Sequence, residues 1–300
     1  MAEAAHDKRI NSNLLVDAFF DSLMIRYSYI DNVEPCMDYE LFGKVYKTPI
    51  LGAALGLHTR FHESGSLGYA RGIASGGSVN FNGWIEDEEL EAICAEGIPS
   101  ARGVKPFADH DRIYQCIEHD EKCGAIAVCM DLDHIFDVDG RYVDAPYGKC
   151  GRQTLPDLRG YASSTSLPFI LKGILTAKDA EKAVEAGAAA IIVSNHNNRF
   201  PSMIPPLAAL PEIKKAVAGQ IPVLVDGGIE SGVEAFKAFA CGADGVMVCR
   251  TLMMAFSKGG PQAVTEKLIR MTDELRGIMA NTGASCVSEI RTDQVVRRDF

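Results

Sequence analysis

Four short apolar runs carry the middle of the chain, and each ends on polar residues just before a segment of helical spacing. They are Pro168-Phe-Ile-Leu-Lys172-Gly, Ala189-Ala-Ile-Ile-Val-Ser-Asn-His196, Ile221-Pro-Val-Leu-Val-Asp226-Gly-Gly and Gly245-Val-Met-Val-Cys-Arg250. Alternation vanishes within them and β-branched residues dominate, the pattern of parallel strands covered on both faces. Between them, Thr176 to Gly187, Leu207 to Gly219 and Ser231 to Gly242 read as amphipathic helices with glycine at or just past the C-terminal end.

The same alternation reaches back to Pro49. Ile50 to Leu55, Ser78 to Asn82, Ala101 to Val104 and Ala125 to Asp131 read as strands, with helices at Ser64 to Gly76, Asp87 to Glu96 and Asp109 to Lys122. Eight such units in about 200 residues predict a (β/α)8 barrel rather than an open doubly wound sheet. Gly52-Ala-Ala-Leu-Gly56 is a poor substitute for the glycine fingerprint that an open nucleotide-binding sheet would want there. The expected organisation is one domain: residues 1–48 an N-terminal extension, 49–283 the barrel and 284–300 a tail. In the extension, Leu14, Leu15, Ala18, Phe19, Leu23 and Met24 have the spacing of a helix covering the barrel. Asp131 to Pro156 is the one long connection, of a length usual for a lid or binding loop.

This arrangement puts Lys172, His196, Asp226 and Arg250 at the C-terminal ends of successive strands, the edge where α/β barrels keep their chemistry. Composition narrows what that chemistry meets. With 40 acidic against 30 basic residues the formal charge is -10, which argues against nucleic acid as a partner and leaves any anion to local positive groups. The nine cysteines include no C-x-x-C pair, so a reduced protein is expected rather than a disulfide or metal scaffold. The polar start has no signal-peptide core and no run approaches a membrane span, so a cytoplasmic protein is expected.

Ile170-Leu-Lys-Gly-Ile174, Val193-Ser-Asn-His-x-x-Arg199 and Asp226-Gly-Gly-Ile229, in this order and spacing, resemble the FMN-dependent α-hydroxy acid dehydrogenase and oxidase family, which includes lactate oxidase and glycolate oxidase. The resemblance implies a (β/α)8 barrel with FMN across its C-terminal mouth, a small carboxylate substrate oxidised by two electrons, and a homo-oligomer, commonly a tetramer. It makes His196 the base, a role that suits an imidazole titrating near neutrality. Alone, a strand-end histidine reads more simply as one satisfied by backbone; Arg199, three residues on, changes that balance. Arg199 would hold the substrate carboxylate with its planar fork. Lys172 would stabilise the reduced flavin, its simpler reading being a structural ion pair. Asp131 would hydrogen-bond His196, against the reading of a loop-capping aspartate beside Asp133.

The cofactor contacts implied are Ala53, Ala54, Asn82, Lys172, Asp226, Gly227, Gly228, Cys249 and Arg250, with no metal. Gly227 and Gly228 before the helix at Ser231 also let backbone N–H groups approach an anion, although a glycine pair after a strand is common in barrels and supports a phosphate without naming FMN. The chain departs from the family pattern in several places. Asn197 and Asn198 replace two glycines, Glu230 replaces a phosphate-binding arginine, and Cys249-Arg250-Thr replaces Gly-Arg-Pro. The family's active-site tyrosines are not placed, Tyr27 and Tyr29 lying in a dissimilar context, and its second substrate-binding arginine is open between Arg141 and Arg152. An isomerase or lyase on the same flavin barrel, or a non-catalytic descendant, are the alternatives to an oxidoreductase.

Overall fold

The computed structural model describes residues 11–145 and 147–298. Residues 1–10 of the expected exposed start lie outside the described residues. Among those described, eight parallel strands close into a barrel: β1 Ile50–Leu55, β2 Asn80–Asn82, β3 Ser100–Val104, β4 Ala127–Asp131, β5 Phe169–Ile174, β6 Ala190–Val193, β7 Val223–Asp226 and β8 Gly245–Val248. Each pairs with the next in the chain, and β8 returns to β1 through Met247 opposite Leu51. Nine α-helices accompany them among the described residues: α1 Ser12–Asp21, α2 Gly65–Ser75, α3 Asp87–Ala95, α4 His110–Cys123, α5 Leu155–Ser163, α6 Ala177–Glu185, α7 Pro206–Val217, α8 Gly232–Ala240 and α9 Arg250–Ala280.

The strands lack alternation because both faces are dry. Ile191, Val193, Val223, Val225, Val246 and Val248 pack outward with the helices, while Leu51, Phe81, Cys129, Ile170, Ile192, Leu224 and Met247 fill the interior. Full burial of each such aliphatic side chain is worth roughly 1.5–3 kcal/mol, so a one-residue slip, which would exchange the two faces, is strongly disfavoured. That register also positions chemistry. Two residues beyond inward-facing Cys129, Ile170, Leu224 and Met247 come Asp131, Lys172, Asp226 and Cys249, which the period of two turns into the barrel's C-terminal mouth. Lys172 lies directly opposite Asp131 in the β5–β4 ladder.

The opposite end of the barrel is plugged by a hairpin of Tyr39–Leu41 and Lys44–Tyr46, whose Tyr39, Leu41 and Tyr46 join the interior cluster. Its turn residues Phe42 and Gly43 both have positive φ, as a two-residue hairpin turn requires.

Three expectations are corrected. In α1 the buried residues are Ser12, Val16 and Phe20, while Leu14 and Leu15 are exposed, because the helix lies on the barrel mouth and not along its flank. Leu23–Ile25 leaves the helical pattern and forms a short strand, pairing antiparallel with Val295–Arg297, so the expected tail is tied to the N-terminal region. The long connection closes into a helix not expected there, α5, which begins at Leu155, one residue before the expected end at Pro156. Its Thr154-x-x-Asp157 capping box with proline in the first turn is a start signal that the sequence does carry. No described helix is long and apolar enough to cross a membrane.

Candidate active site

The mouth of the barrel is organised around Lys172. Its side chain is 3% exposed, and the ammonium lies 3.4 Å from Asp226, 3.6 Å from Asp131 and 3.1 Å from the Ser194 hydroxyl. Burial alone would lower the pKa of such a lysine, but Asp226, Asp131 and Asp133 outweigh it and hold Lys172 charged, well above the ordinary range. Asp131, equally buried, would be pushed up by burial, yet Lys105 and Lys172 hold it well below the usual carboxylate range. Its closest partner is Lys105, 2.5 Å away at the end of β3.

His196 stands beyond the end of β6, on a loop where His196, Asn197 and Asn198 all take positive φ (48°, 55° and 66°). Asparagine tolerates that region better than most residues, and here both asparagines are tied down by α1. Asn198 Oδ1 accepts from the Ser12 amide at 2.7 Å, and Asn197 Oδ1 accepts from Asn13 Nδ2 at 2.9 Å. The Ser12 hydroxyl, in turn, donates to the Phe200 carbonyl. The two side chains that replace glycines therefore anchor the N-terminal helix over the mouth. Sequence neighbours alone give no hint of this.

The expected partner of His196 is corrected from Asp131 to Asp133. His196 Nδ1 is 3.1 Å from both oxygens of Asp133 and 4.0 Å from Asp131. The register holds Asp131 inside the barrel on Lys105 and Lys172, whereas Asp133 sits on the following 3-10 turn, Leu132–His134, facing the β6 loop. Gly173 makes the room: at φ 93°, a Cβ there would lie 2.9 Å from Asp133 Cβ. Burial would raise the pKa of Asp133, but His196 and Lys172 hold it low. An ionised Asp133 accepts from His196 Nδ1–H and leaves the Nε2 lone pair free. The 3.3 Å approach of the Lys172 ammonium to the same Nδ1 is then a contact, not a hydrogen bond.

A cavity of about 270 Å³ opens beside this group, lined among others by Ala53, Ala54, Lys172, His196, Asp226, Gly227, Gly228, Cys249 and Arg250. Those residues suit a flat, amphipathic, anionic cofactor. Ala53 and Ala54 give a low apolar floor, and Lys172 supplies positive charge at one side. At the other, Gly227 and Gly228 precede α8, whose N-terminal amides favour an anion. Gly228, at φ 75°, also lies so close to α1 that a Cβ would meet Val16 Cγ1 at 2.3 Å. Fully buried Asn195 stands beside Gly227 with neither amide atom hydrogen-bonded to protein. Arg250 adds a second cation to the cavity lining, and Glu230 Oε1 sits 3.2 Å from it. Glu230, which stands where the family pattern has an arginine, thus pairs with Arg250 and competes for it with an anion.

Two assignments fall away from this cavity. Asn82 is buried inside the barrel, bonded to Asn80 and the Ala101 carbonyl, and lines neither this cavity nor the one beside it. Arg199 donates from Nε and Nη2 to the carbonyls of Asp133 and Phe136 at 3.3 Å, which holds it toward the long connection, and it lines neither cavity. Arg141 is 80% exposed, and Arg152 faces a separate cleft between the lid and α6. Residues that the sequence pattern missed are Lys105, Asp133 and His134. Only their positions just beyond β3 and β4 could have marked them. Asp131, His134 and His196 approach closely enough for a cation. However, the Lys105 ammonium already lies 2.5 Å from Asp131 and 3.3 Å from His134 Nδ1.

Fold and site together define a flavin-binding barrel oxidoreductase. The profile of the FMN-dependent dehydrogenases matches residues 7–146 and 147–297. A glycolate oxidase of Zea mays is 29% identical over 93% of this chain and 84% of its own. An L-lactate oxidase of Lysinibacillus sphaericus is 30% identical over 86% of this chain and 78% of its own. The solved structure of a mandelate oxidase variant with a monooxide FMN adduct superposes with a TM-score of 0.87 at 29% identity, covering 94% of this chain and 90% of that one. The chain belongs to the FMN-dependent dehydrogenase family, and its cofactor is FMN.

Proposed function

We propose that the chain oxidises a small 2-hydroxy acid to the corresponding 2-oxo acid, with His196 as the base. The observation that carries this reading is the His196–Asp133 pair at the edge of a cavity whose residues suit FMN. When bound, FMN accepts the two electrons that leave the substrate carbon. His196 Nε2 takes the hydroxyl proton, and Asp133 fixes the ring's tautomer and stabilises the imidazolium that forms. Lys172 presents a fixed positive charge to the cavity, kept there by three carboxylates. Every relative and structure named above is an oxidase, which favours this reading over an isomerase, and the intact His196–Asp133 pair favours it over a non-catalytic protein.

The test is the visible spectrum of the FMN-loaded protein during anaerobic exposure to glycolate, L-lactate and mandelate. Bleaching by one of them is expected; bound flavin that no 2-hydroxy acid bleaches would count against the reading. A homo-oligomer, commonly a tetramer in the resembling enzymes, is supported by exposed apolar side chains such as Tyr29, Ile30 and Val138, and sedimentation velocity tests it. A cytoplasmic location is supported by nine free cysteines, and imaging of the tagged chain tests that.

A further inference from the structure

A second cavity, of about 210 Å³, adjoins the first and shares Ala54 and His196 with it. Its remaining walls are Gly56, Leu57, Gly83, Trp84 and Tyr147 on one side, and Lys105, Asp131 and His134 on the other. The Trp84 indole N–H is already given to Glu86, and its ring lies 5.4 Å from that of Tyr147. The polar corner is therefore Lys105, Asp131, His134 and His196. Arg199, the cation that the sequence motif offers for a carboxylate, is absent from it.

The hydrogen-bond chemistry of that corner is determined by its partners. Lys105 can only donate, so His134 Nδ1, at 3.3 Å, must accept. The His134 hydrogen is then on Nε2, which becomes a donor. Burial, and then the charge of Lys105, hold the His134 pKa down to about 3, in keeping with a neutral ring. His196 is the opposite case, with its hydrogen on Nδ1 facing Asp133 and a lone pair on Nε2. The two rings touch edge to face, 4.3 Å between centroids. Side by side, they offer one acceptor for a hydroxyl and one donor beside an ammonium for a carboxylate. Lys105 has three hydrogens and uses two of them, on Asp131 and His134.

We propose that Lys105, assisted by His134 Nε2–H, is the carboxylate clamp of this enzyme, in place of Arg199. The proposal rests on the 2-hydroxy-acid reading but names residues that reading does not require. The substrate carboxylate meets the third ammonium hydrogen and the His134 donor, its hydroxyl faces His196, and its side chain lies against Leu57, Trp84 and Tyr147.

The experiment is calorimetric titration of the FMN-loaded protein with glyoxylate, pyruvate and benzoylformate, each beside its amide. Product-like ligands make the result independent of turnover. Wild type is expected to prefer an acid over its amide. Lys105→Met should weaken the acid by at least about tenfold, as loss of a charge-assisted hydrogen bond does, while leaving the amide nearly unchanged. His134→Leu should lower the same ratio less, and Arg199→Met should leave it in place. Unaltered FMN content and melting temperature show that the variants are folded, and Lys105→Arg, which keeps the cation, should retain most of the acid preference should the methionine variant fail to fold. A Lys105→Met protein that keeps the ratio within about twofold overturns the clamp, as does collapse of the ratio in Arg199→Met or a wild type that binds no acid. If the clamp variants behave as expected and yet no 2-hydroxy acid bleaches wild-type flavin, the proposed function fails and the clamp stands.

Discussion

The ring of strand-end residues at the barrel mouth and the His196–Arg199 loop lie side by side, yet they are built differently. Lys172, Asp131 and Asp226 are placed by the ladder: once the period of two has buried Ile170, Cys129 and Leu224, the residues two steps on have nowhere else to point. The loop has no ladder. Its left-handed backbone at residues 196–198 is held by Ser12 and Asn13 from the other end of the chain, and its arginine is held by the lid. Charges fixed by register are cooperative and costly to disturb, whereas those fixed by loop contacts can be reassigned by a few substitutions.

On that contrast, the largest stability effect belongs to the ring. Lys172→Met takes the ion-pair partner from Asp226 and leaves Asp131 to Lys105 alone, and should lower stability by about 3–5 kcal/mol, read by urea unfolding of the protein. Loss of less than about 1 kcal/mol would mean that the carboxylates find other partners. Next, Asp133→Asn should slow anaerobic flavin bleaching by roughly 10²-fold with FMN still bound, because an amide cannot stabilise the imidazolium of His196 in the same way. In Asp131→Asn the loss should appear mainly as stability, and equal rate losses in both would erase the distinction drawn between the two aspartates.

Asn198→Ala should cost about 1–3 kcal/mol, combining a left-handed alanine with loss of the Ser12 bond. Asn198→Gly keeps the backbone and loses only the bond, so hydrogen exchange in α1 should rise in both while stability falls more in alanine. The smallest effect concerns Glu230, a largely exposed carboxylate on Arg250. Glu230→Gln should tighten FMN by roughly two- to fivefold in a fluorescence titration, as suits a surface pair.

The same contrast explains what the sequence could disclose. All eight strands and the mouth positions of Lys172, Asp226, Gly227, Gly228 and Arg250 were legible, since each follows from local periodicity and a short motif. The partner of His196 was not: Asp131 and Asp133 are two residues apart, and only the close approach allowed by Gly173 decides between them. Asn197 and Asn198 read as losses of space, because their partners lie more than 180 residues away. Leu23–Ile25 was absorbed into a helix pattern for the same reason, its partner strand being Val295–Arg297.

The measurement that bears most directly on the site is rapid anaerobic mixing of FMN-loaded His196→Ala with the 2-hydroxy acid that bleaches wild type, followed through the flavin absorbance. The expected result is full FMN occupancy with bleaching slowed by at least about 10³-fold, the loss due to a missing base. Bleaching within about tenfold of the wild-type rate, with flavin equally bound, would show that the proton leaves by another route and that His196 is not the base.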